Sequence, residues 1–154
     1  MTHRIRVAGL VRRGDELLLV QQQNRHGVRS WSLPGGRLEP TDANIFEGVQ
    51  REVWEETGLR VAAQRLRFVS EYLSPDVFAL TLVIECRLAE DENPDNIHLN
   101  NTMDDDNIHG VAWWHTAKIH ASEEPMSRTL GKPVFWQALE VEGEVVYLGR
   151  HNDG

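Results

Sequence analysis

The chain has 154 residues, of which 40% are hydrophobic and 26% charged, as in globular domains that are long enough to bury a core. Its net charge of −8 disfavours a broad nucleic-acid surface, because contacts with phosphate backbones rely on Lys and Arg. One cysteine excludes an internal disulfide framework, and no secretory or membrane-spanning segment is visible, so we expect one cytoplasmic domain over residues 1–154.

The N-terminal third begins with two predicted strands, residues 5–12 and 16–22, joined by a turn at residues 13–15. Residues 21–26 are polar and form either a plain loop or the rim of a pocket that contacts a base or sugar. Trp31 is either a packing residue under the glycine turn that follows or a stacking platform. Arg25 and Trp31 are therefore our candidate substrate-binding residues in this part of the chain.

A glycine turn and one helix follow in residues 31–59, WSLPGGRLEPTDANIFEGVQREVWEETGL. Gly35 and Gly36 allow the backbone to approach a ligand closely, so both are candidate substrate-binding residues. Asn44 is a good N-cap with Glu47 three residues later, and Gly58 suits the end of the helix. The apolar stripe formed by Phe46, Val49 and Val53 predicts that this helix packs on a sheet.

The same helix carries Glu52, Glu55 and Glu56, at spacings that place them on one side. Three carboxylates so close repel one another unless a cation lies among them, and a divalent metal would remove the conflict. The simpler interpretation is a solvated helix face in which Arg51 pairs with Glu55. The double glycine and the acidic loop ahead of the helix favour the metal site, and hard cations held this way usually bind phosphate oxygens too.

The run REVWEETGL resembles the second half of the Nudix hydrolase box, with Arg51, Glu52, Val53, Glu55, Glu56, Gly58 and Leu59 matching position by position. The first half departs from the pattern: Asp42 stands where the family has Glu, and eight residues rather than seven then lead to Arg51. The extra residue falls in the loop before Asn44.

The resemblance implies an α/β sandwich in which a mixed β-sheet lies between helices. It also implies Mg²⁺ or Mn²⁺, held by Glu52, Glu55, Glu56 and the Gly36 carbonyl, with Arg51 orienting a glutamate of the box. These residues are the candidate catalytic and metal-binding groups.

Two more strands are predicted over residues 66–73 and 78–88, separated by a turn at residues 74–76. Cys86 lies in the second strand and is expected to be a buried structural thiol. Pro75 resembles a proline of Nudix enzymes that act on ADP-ribose, although prolines are common in turns. Residues 89–107 form a long acidic loop in which Asp105 and Asp106 are candidates for a further metal ligand or general base.

The last third begins with a strand at residues 111–115, whose alternation sends Trp113 and Trp114 to opposite faces. A short helix is predicted over residues 118–130. Residues 135–139 and 145–148 form either a helix and a strand or a hairpin. Phe135 and Trp136 suit a homodimer interface and core packing equally well.

Together these patterns predict a metal-dependent hydrolase that cleaves a pyrophosphate bond in a nucleoside diphosphate linked to another group. An ADP-sugar such as ADP-ribose is the first candidate, and a (deoxy)nucleoside triphosphate is the second. A non-catalytic nucleotide sensor with the same fold is the alternative from another class, but it would not need the intact pairs of box carboxylates. The expected partner is a nucleotide, with no nucleic acid or membrane, and a homodimer is possible.

Overall fold

The computed structural model describes residues 1–99 and 107–153, with eight strands and three helices. In chain order these are β1 (Thr2–Arg13), β2 (Glu16–Gln23), β3 (Arg29–Ser32), β4 (Gly35–Arg37), α1 (Ile45–Thr57), β5 (Val61–Leu73), β6 (Val77–Leu88), β7 (Ile108–His115), α2 (Thr116–Ala121), α3 (Pro133–Leu139) and β8 (Val146–Asn152).

The strands form one mixed sheet in the order β3-β2-β1-β6-β5-β8, with β4 paired to β1 and β7 paired to β2. The β1–β6 and β5–β8 pairs are parallel, and the other pairs are antiparallel. A parallel pair requires a long crossover, and α1 lies in the chain between β1 and its partner β6. The predicted mixed sheet is confirmed.

Apolar side chains on the two faces of the sheet form two cores. The α1-side core includes Val7, Val11, Leu18, Val49 and Val53, and the α3-side core includes Leu10, Leu17, Leu19, Phe68 and Phe135. Because successive residues of a strand point to opposite faces, β1 contributes to both cores. Helices therefore cover both faces, and the predicted α/β sandwich is confirmed.

The two cores also show how several side chains that the sequence singled out are packed. Trp113 packs against the α1-side core and Trp114 against the α3-side core, on opposite faces as predicted. Phe135 is fully buried and stacks on Trp136, with ring centroids 5.1 Å apart, so this pair serves core packing. Cys86 is buried as expected, and desolvation, followed by the nearby Glu85, raises the pKa of its thiol to about 12.

The helix predicted over residues 118–130 is wrong in its extent. Helix α2 ends after six residues at Ser122, which is extended. The chain then runs beside β3, where the Trp31 N–H donates to the Pro125 carbonyl and the Ser127 N–H donates to the Trp31 carbonyl. These backbone bonds with β3 replace helical ones. The hairpin alternative for the C-terminal residues is also wrong, since they form α3 and β8.

Two details in the first third of the chain differ from the predictions as well. The polar segment predicted as a loop is partly strand, because β2 extends to Gln23 and pairs with β3 across a short turn. In α1, Phe46 is 37% exposed, and Ile45 packs against the α1-side core in its place. The apolar stripe that packs on the sheet is therefore Ile45, Val49 and Val53, which lie four residues apart.

Strand β8 ends the described sheet on one side. The Lys132 ammonium donates to the Leu148 carbonyl of this strand. Gly149 has a φ of 101°, and the pairing with β5 shifts register between Val69 and Ser70. None of the helices in residues 1–99 and 107–153 has the length and apolar character needed to cross a bilayer.

Candidate functional site

Helix α1 begins and ends where the sequence predicts. The Asn44 side chain accepts a hydrogen bond from the Glu47 N–H at 3.0 Å, and the Glu47 carboxylate accepts one from the Ala43 N–H at 3.3 Å. Gly58 closes the helix with a φ of 78°, and its N–H donates to the Trp54 carbonyl. These local bonds fix which residues of the helix face the glycine turn.

The glycine turn forms the short strand β4, and two of the box glutamates lie directly against it. The Gly35 N–H donates to the Glu56 carboxylate at 2.7 Å in a buried hydrogen bond. At Gly36, a Cβ atom would lie 2.6 Å from Glu52 Oε2 and 2.7 Å from Oε1. The missing side chain of Gly36 is thus what makes room for the Glu52 carboxylate.

Arg51 joins three carboxylates at this end of the site. Its guanidinium donates twice to Asp42, at 2.8 and 2.9 Å, once to Glu52 at 2.9 Å and once to Glu55 at 3.2 Å. It also donates to the Arg37 carbonyl of β4 at 3.2 Å. A planar guanidinium has enough donors to hold all of these groups in one arrangement.

Asp42 accepts two hydrogen bonds from Arg51, one on each carboxylate oxygen, and its side chain is only 5% exposed. The hydrogen bonds from Arg51 hold the pKa of the Asp42 carboxyl below its usual value. Within the loop that precedes α1, the Glu39 N–H also donates to the Asp42 carboxylate at 2.8 Å. The sequence left the role of Asp42 open, and the structure shows that the longer loop still brings its carboxylate to Arg51.

Burial also changes the pKa of the Glu52 carboxyl. The residue is 8% exposed, and this burial raises the pKa of its carboxyl above the usual value, against the lowering effect of the Arg51 hydrogen bond. The charge of Arg6 on β1 also acts on it. Arg6 is a residue near the site that the sequence analysis missed, and the alternation of Arg4 and Arg6 with Ile5 and Val7 was the available signal.

The donor chemistry around α1 suits a divalent cation, although the described side chains are not arranged as a metal cluster. In residues 1–99 and 107–153, no three His, Cys, Asp or Glu side chains converge so that they could hold a metal ion. Arg51 bonds both Glu52 and Glu55, and the Gly35 amide bonds Glu56. The available donors are carboxylate oxygens beside a glycine backbone, which is the donor chemistry that Mg²⁺ and Mn²⁺ prefer. The residue types therefore fit a hard cation.

The two other predicted substrate-binding residues lie elsewhere. Arg25 is exposed in the turn between β2 and β3, where it donates to His26. Trp31 packs on the α3-side core with its ring centroid 5.3 Å from that of Trp114, whereas α1 packs on the opposite face of the sheet. Trp31 also lines an open cavity of about 310 Å³ together with Ala112 and Trp114.

Asp105 and Asp106, predicted as a further ligand or general base, lie outside the described residues. The last described part of the acidic loop before them is attached to the end of α1. The His98 N–H donates to the Thr57 carbonyl at 2.9 Å, and the His98 ring lies against Gly58. The roles of the two aspartates stay predictions.

Comparison with known families gives one match that covers most of the chain. The family model described as NUDIX domain matches residues 2–136. The match includes the glycine turn, α1 and every strand except β8.

Similar curated proteins align over shorter stretches. A MutT-like protein of Streptomyces ambofaciens is 42% identical over 85 residues, or 55% of this chain and 52% of that protein. The 8-oxo-dGDP phosphatase of Homo sapiens is 47% identical over 57 residues, or 37% of this chain and 17% of that protein. The chain thus spans about half, or much less, of the length of these relatives.

A solved structure matches over nearly the whole chain. It is an ADP-ribose pyrophosphatase from Streptococcus suis, 25% identical to this chain, with a TM-score of 0.60. The match covers 95% of this chain and 99% of that one.

Proposed function

The chain belongs to the NUDIX family, and on that premise we propose that it hydrolyses a pyrophosphate bond in a nucleoside diphosphate linked to another group. The observation that carries this proposal is the arrangement around Arg51. One guanidinium fixes Asp42, Glu52 and Glu55, while Glu56 bonds the glycine turn. A helix face that served only solubility would not need carboxylates held this firmly against a turn without side chains.

We propose Mg²⁺ or Mn²⁺ as the cofactor, with the carboxylates of Glu52, Glu55 and Glu56 and the Gly36 carbonyl as its ligands. When bound, such a cation neutralises phosphate charge and lowers the pKa of the attacking water. The protein's own contribution is to place oxygen donors beside a backbone that a phosphate group can approach closely.

Glu52 is our first choice for the group that accepts the proton of the attacking water, with Asp105 or Asp106 as the alternative. Arg51 holds Glu52 Oε1, while Oε2 lies on the side of Gly36. The water oxygen would bond to phosphorus as the bridging P–O bond breaks, and the departing phosphate would carry the electron pair. Arg51 orients the carboxylates and is a positioning residue in this scheme.

We propose an ADP-sugar such as ADP-ribose as the first substrate candidate. The support is the ADP-ribose pyrophosphatase of Streptococcus suis, whose structure matches this chain over nearly its full length. Pro75, in the turn between β5 and β6, is a weaker indication.

A second substrate candidate is an oxidised or ordinary (deoxy)nucleoside di- or triphosphate. The supporting observation is the 47% identity to the 8-oxo-dGDP phosphatase of Homo sapiens over 57 residues. A non-catalytic sensor is disfavoured because the three helix glutamates and Arg51 are all present.

The test is to incubate the chain with ADP-ribose, ATP, dGTP and 8-oxo-dGDP in Mg²⁺ or Mn²⁺ and to separate the products, which shows which P–O bond breaks. We expect Glu55→Gln and Glu56→Gln to lower turnover by about a hundredfold or more while the chain stays folded. Glu47→Gln is the matched control, because Glu47 lies on the same helix but at its cap. Binding of ADP-ribose without turnover would favour the sensor, and wild-type rates in both variants would overturn the metal assignment.

A further inference from the structure

One end of the sheet, on its α3 side, carries cations for which the described chain supplies no acidic partner. Val7 and Val11 belong to the α1-side core and Leu10 to the α3-side core, so the even-numbered residues of β1 face α3. Arg4 and Arg6 therefore lie on the α3 face. Neither forms an ion pair within residues 1–99 and 107–153.

The strand register places small residues between these arginines and an aromatic ring. Arg4 pairs with Ala79 of β6, which pairs in turn with Tyr72 of β5, and Arg6 pairs with Thr81. Neighbouring strands are about 4.8 Å apart, so Arg4 and Tyr72 stand about 10 Å apart across Ala79. A floor of short side chains between longer ones is concave.

A third cation closes the far side of this floor. The Arg128 guanidinium lies 5.8 Å from the centroid of the Tyr72 ring, and Arg128 forms no ion pair with any described residue. We name the surface formed by Arg4, Arg6, Tyr72, Ala79, Thr81 and Arg128 the arginine bay.

Arg4 supplies the observation that points to a ligand. Its Nε atom is buried and has no hydrogen-bond partner in the described part of the chain. A buried donor without a partner is costly, and structures that contain one usually satisfy it with water, an ion or a ligand. In a chain of net charge −8, these three guanidinium groups concentrate positive charge at one end of the sheet.

The bay lies near the proposed catalytic groups, on the other face of the sheet. The charge of Arg6 acts on the Glu52 carboxylate, which lies against Gly36. Arg6 pairs directly with Arg37 of β4, one residue after Gly36. Among the described strands β4 pairs only with β1, so it forms an edge between the α1 face and the α3 face. A ligand whose pyrophosphate lies at the glycine turn would reach the bay around this edge.

We propose that the arginine bay binds a further phosphate group of the substrate, beyond the pyrophosphate that is cleaved. The substrate class is then a nucleoside diphosphate derivative with an additional phosphate, on the nucleoside or on the linked group. Guanidinium groups bind phosphate through paired charge-assisted hydrogen bonds, and the Arg4 Nε donor would gain its partner. The identity of the ligand rests on the proposed function, whereas the presence of an anion site does not.

The test compares ADP-ribose with ADP-ribose 2′-phosphate and ADP-ribose 1″-phosphate, which each add one phosphate at a different end. Dissociation constants are measured calorimetrically in EDTA, and turnover is measured separately in Mg²⁺ and in Mn²⁺. We expect one phosphorylated compound to bind about tenfold more tightly than ADP-ribose. In Arg4→Gln and Arg6→Gln that ratio should fall to about twofold or less.

Arg87→Gln is the matched control and should keep the wild-type ratio. Arg87 lies on β6 six residues beyond Thr81, or about 20 Å away on the same face of the strand. Equal dissociation constants for all three compounds, or a preference that survives both bay variants, would overturn the proposal. A preference that depends on the arginines, without turnover of any compound, would support the bay and count against the proposed hydrolase function. Turnover without a preference for either phosphorylated compound would support the hydrolase function and count against the bay.

Discussion

Replacing Gly36 by alanine tests whether the glycine turn exists to seat a glutamate. The new Cβ atom would lie 2.6 Å from Glu52 Oε2, where ordinary contact begins at 3.4 Å, so the carboxylate must move by about 0.8 Å. The atoms that collide are the far end of a flexible side chain. We therefore expect the carboxylate to shift while the backbone stays in place.

The two consequences of that shift differ in size. A displacement of about 1 Å in a catalytic group lowers rates by about a hundredfold, so kcat/KM in Gly36→Ala should fall by about that factor. The free energy of unfolding should change by about 1 kcal/mol or less, because the colliding carboxylate is the far end of a flexible side chain that can change rotamer. Activity and stability should thus separate in this variant.

Gly35→Ala is the contrasting variant. Its Cβ would lie 2.2 Å from the Val7 carbonyl oxygen and 2.8 Å from the Ala8 Cα, and these are backbone atoms that cannot turn aside. We expect a loss of about 1–3 kcal/mol in unfolding free energy, and more if β4 separates from β1.

The assay is urea unfolding in parallel with hydrolysis of the best nucleotide in the substrate panel. Gly143→Ala serves as the neutral control, because its Cβ would meet no atom within 4 Å. Unchanged kcat/KM in Gly36→Ala, or equal losses of stability in Gly35→Ala and Gly36→Ala, would refute the geometric reasoning.

Three other predictions follow from pKa shifts. Burial raises the pKa of the Glu52 carboxyl, so at pH values above the usual carboxyl pKa its negative charge opposes folding. Glu52→Gln should therefore raise the Tm at pH 7 in EDTA, and a lower Tm would contradict this explanation. Arg51 lowers the pKa of the Asp42 carboxyl, so at pH values above the usual carboxyl pKa the wild type should be more stable than Asp42→Asn by about 1 kcal/mol in urea unfolding. This difference in stability should vanish as the pH falls through the lowered pKa of Asp42. A difference independent of pH would exclude that ion pair as its source. Cys86, whose pKa is raised to about 12 chiefly by burial, should resist iodoacetamide at pH 8 until urea unfolds the chain, and rapid alkylation of folded protein would show that the thiol is accessible.

The parts of the structure that depend on local signals were predictable from the sequence. Helix α1 has a side-chain cap at Asn44 and a left-handed glycine at Gly58, and both effects act within one turn of the chain. The alternation in β6 similarly reflects a strand whose α1 face is continuously apolar, with Leu82, Ile84, Cys86 and Leu88 at the α1-side core. The family resemblance supplied the sandwich architecture, which no local pattern specifies.

The parts that failed depend on contacts between distant segments. Strand β3 exists because Trp31 bonds both β2 and the segment at Pro125, and that pairing also replaces most of the helix predicted over residues 118–130. Asp42 reaches Arg51 through a loop whose path the sequence does not specify. Arg4 and Arg6 were missed because a charged residue in a strand has meaning only once its neighbours across the sheet are known.

The end of the sheet at β8 has a consequence for how two copies of this chain can associate. Exposed strand edges recruit other chains, and a lysine, a kink or a register shift discourages this recruitment. Here the Lys132 ammonium donates a hydrogen bond to the Leu148 carbonyl, and Gly149 has a positive φ that departs from extended strand geometry. A homodimer that extended the sheet through β8 would have to displace that ammonium group and straighten the strand. Any dimer should therefore leave β8 as an outer boundary of the assembly and use side-chain surfaces instead.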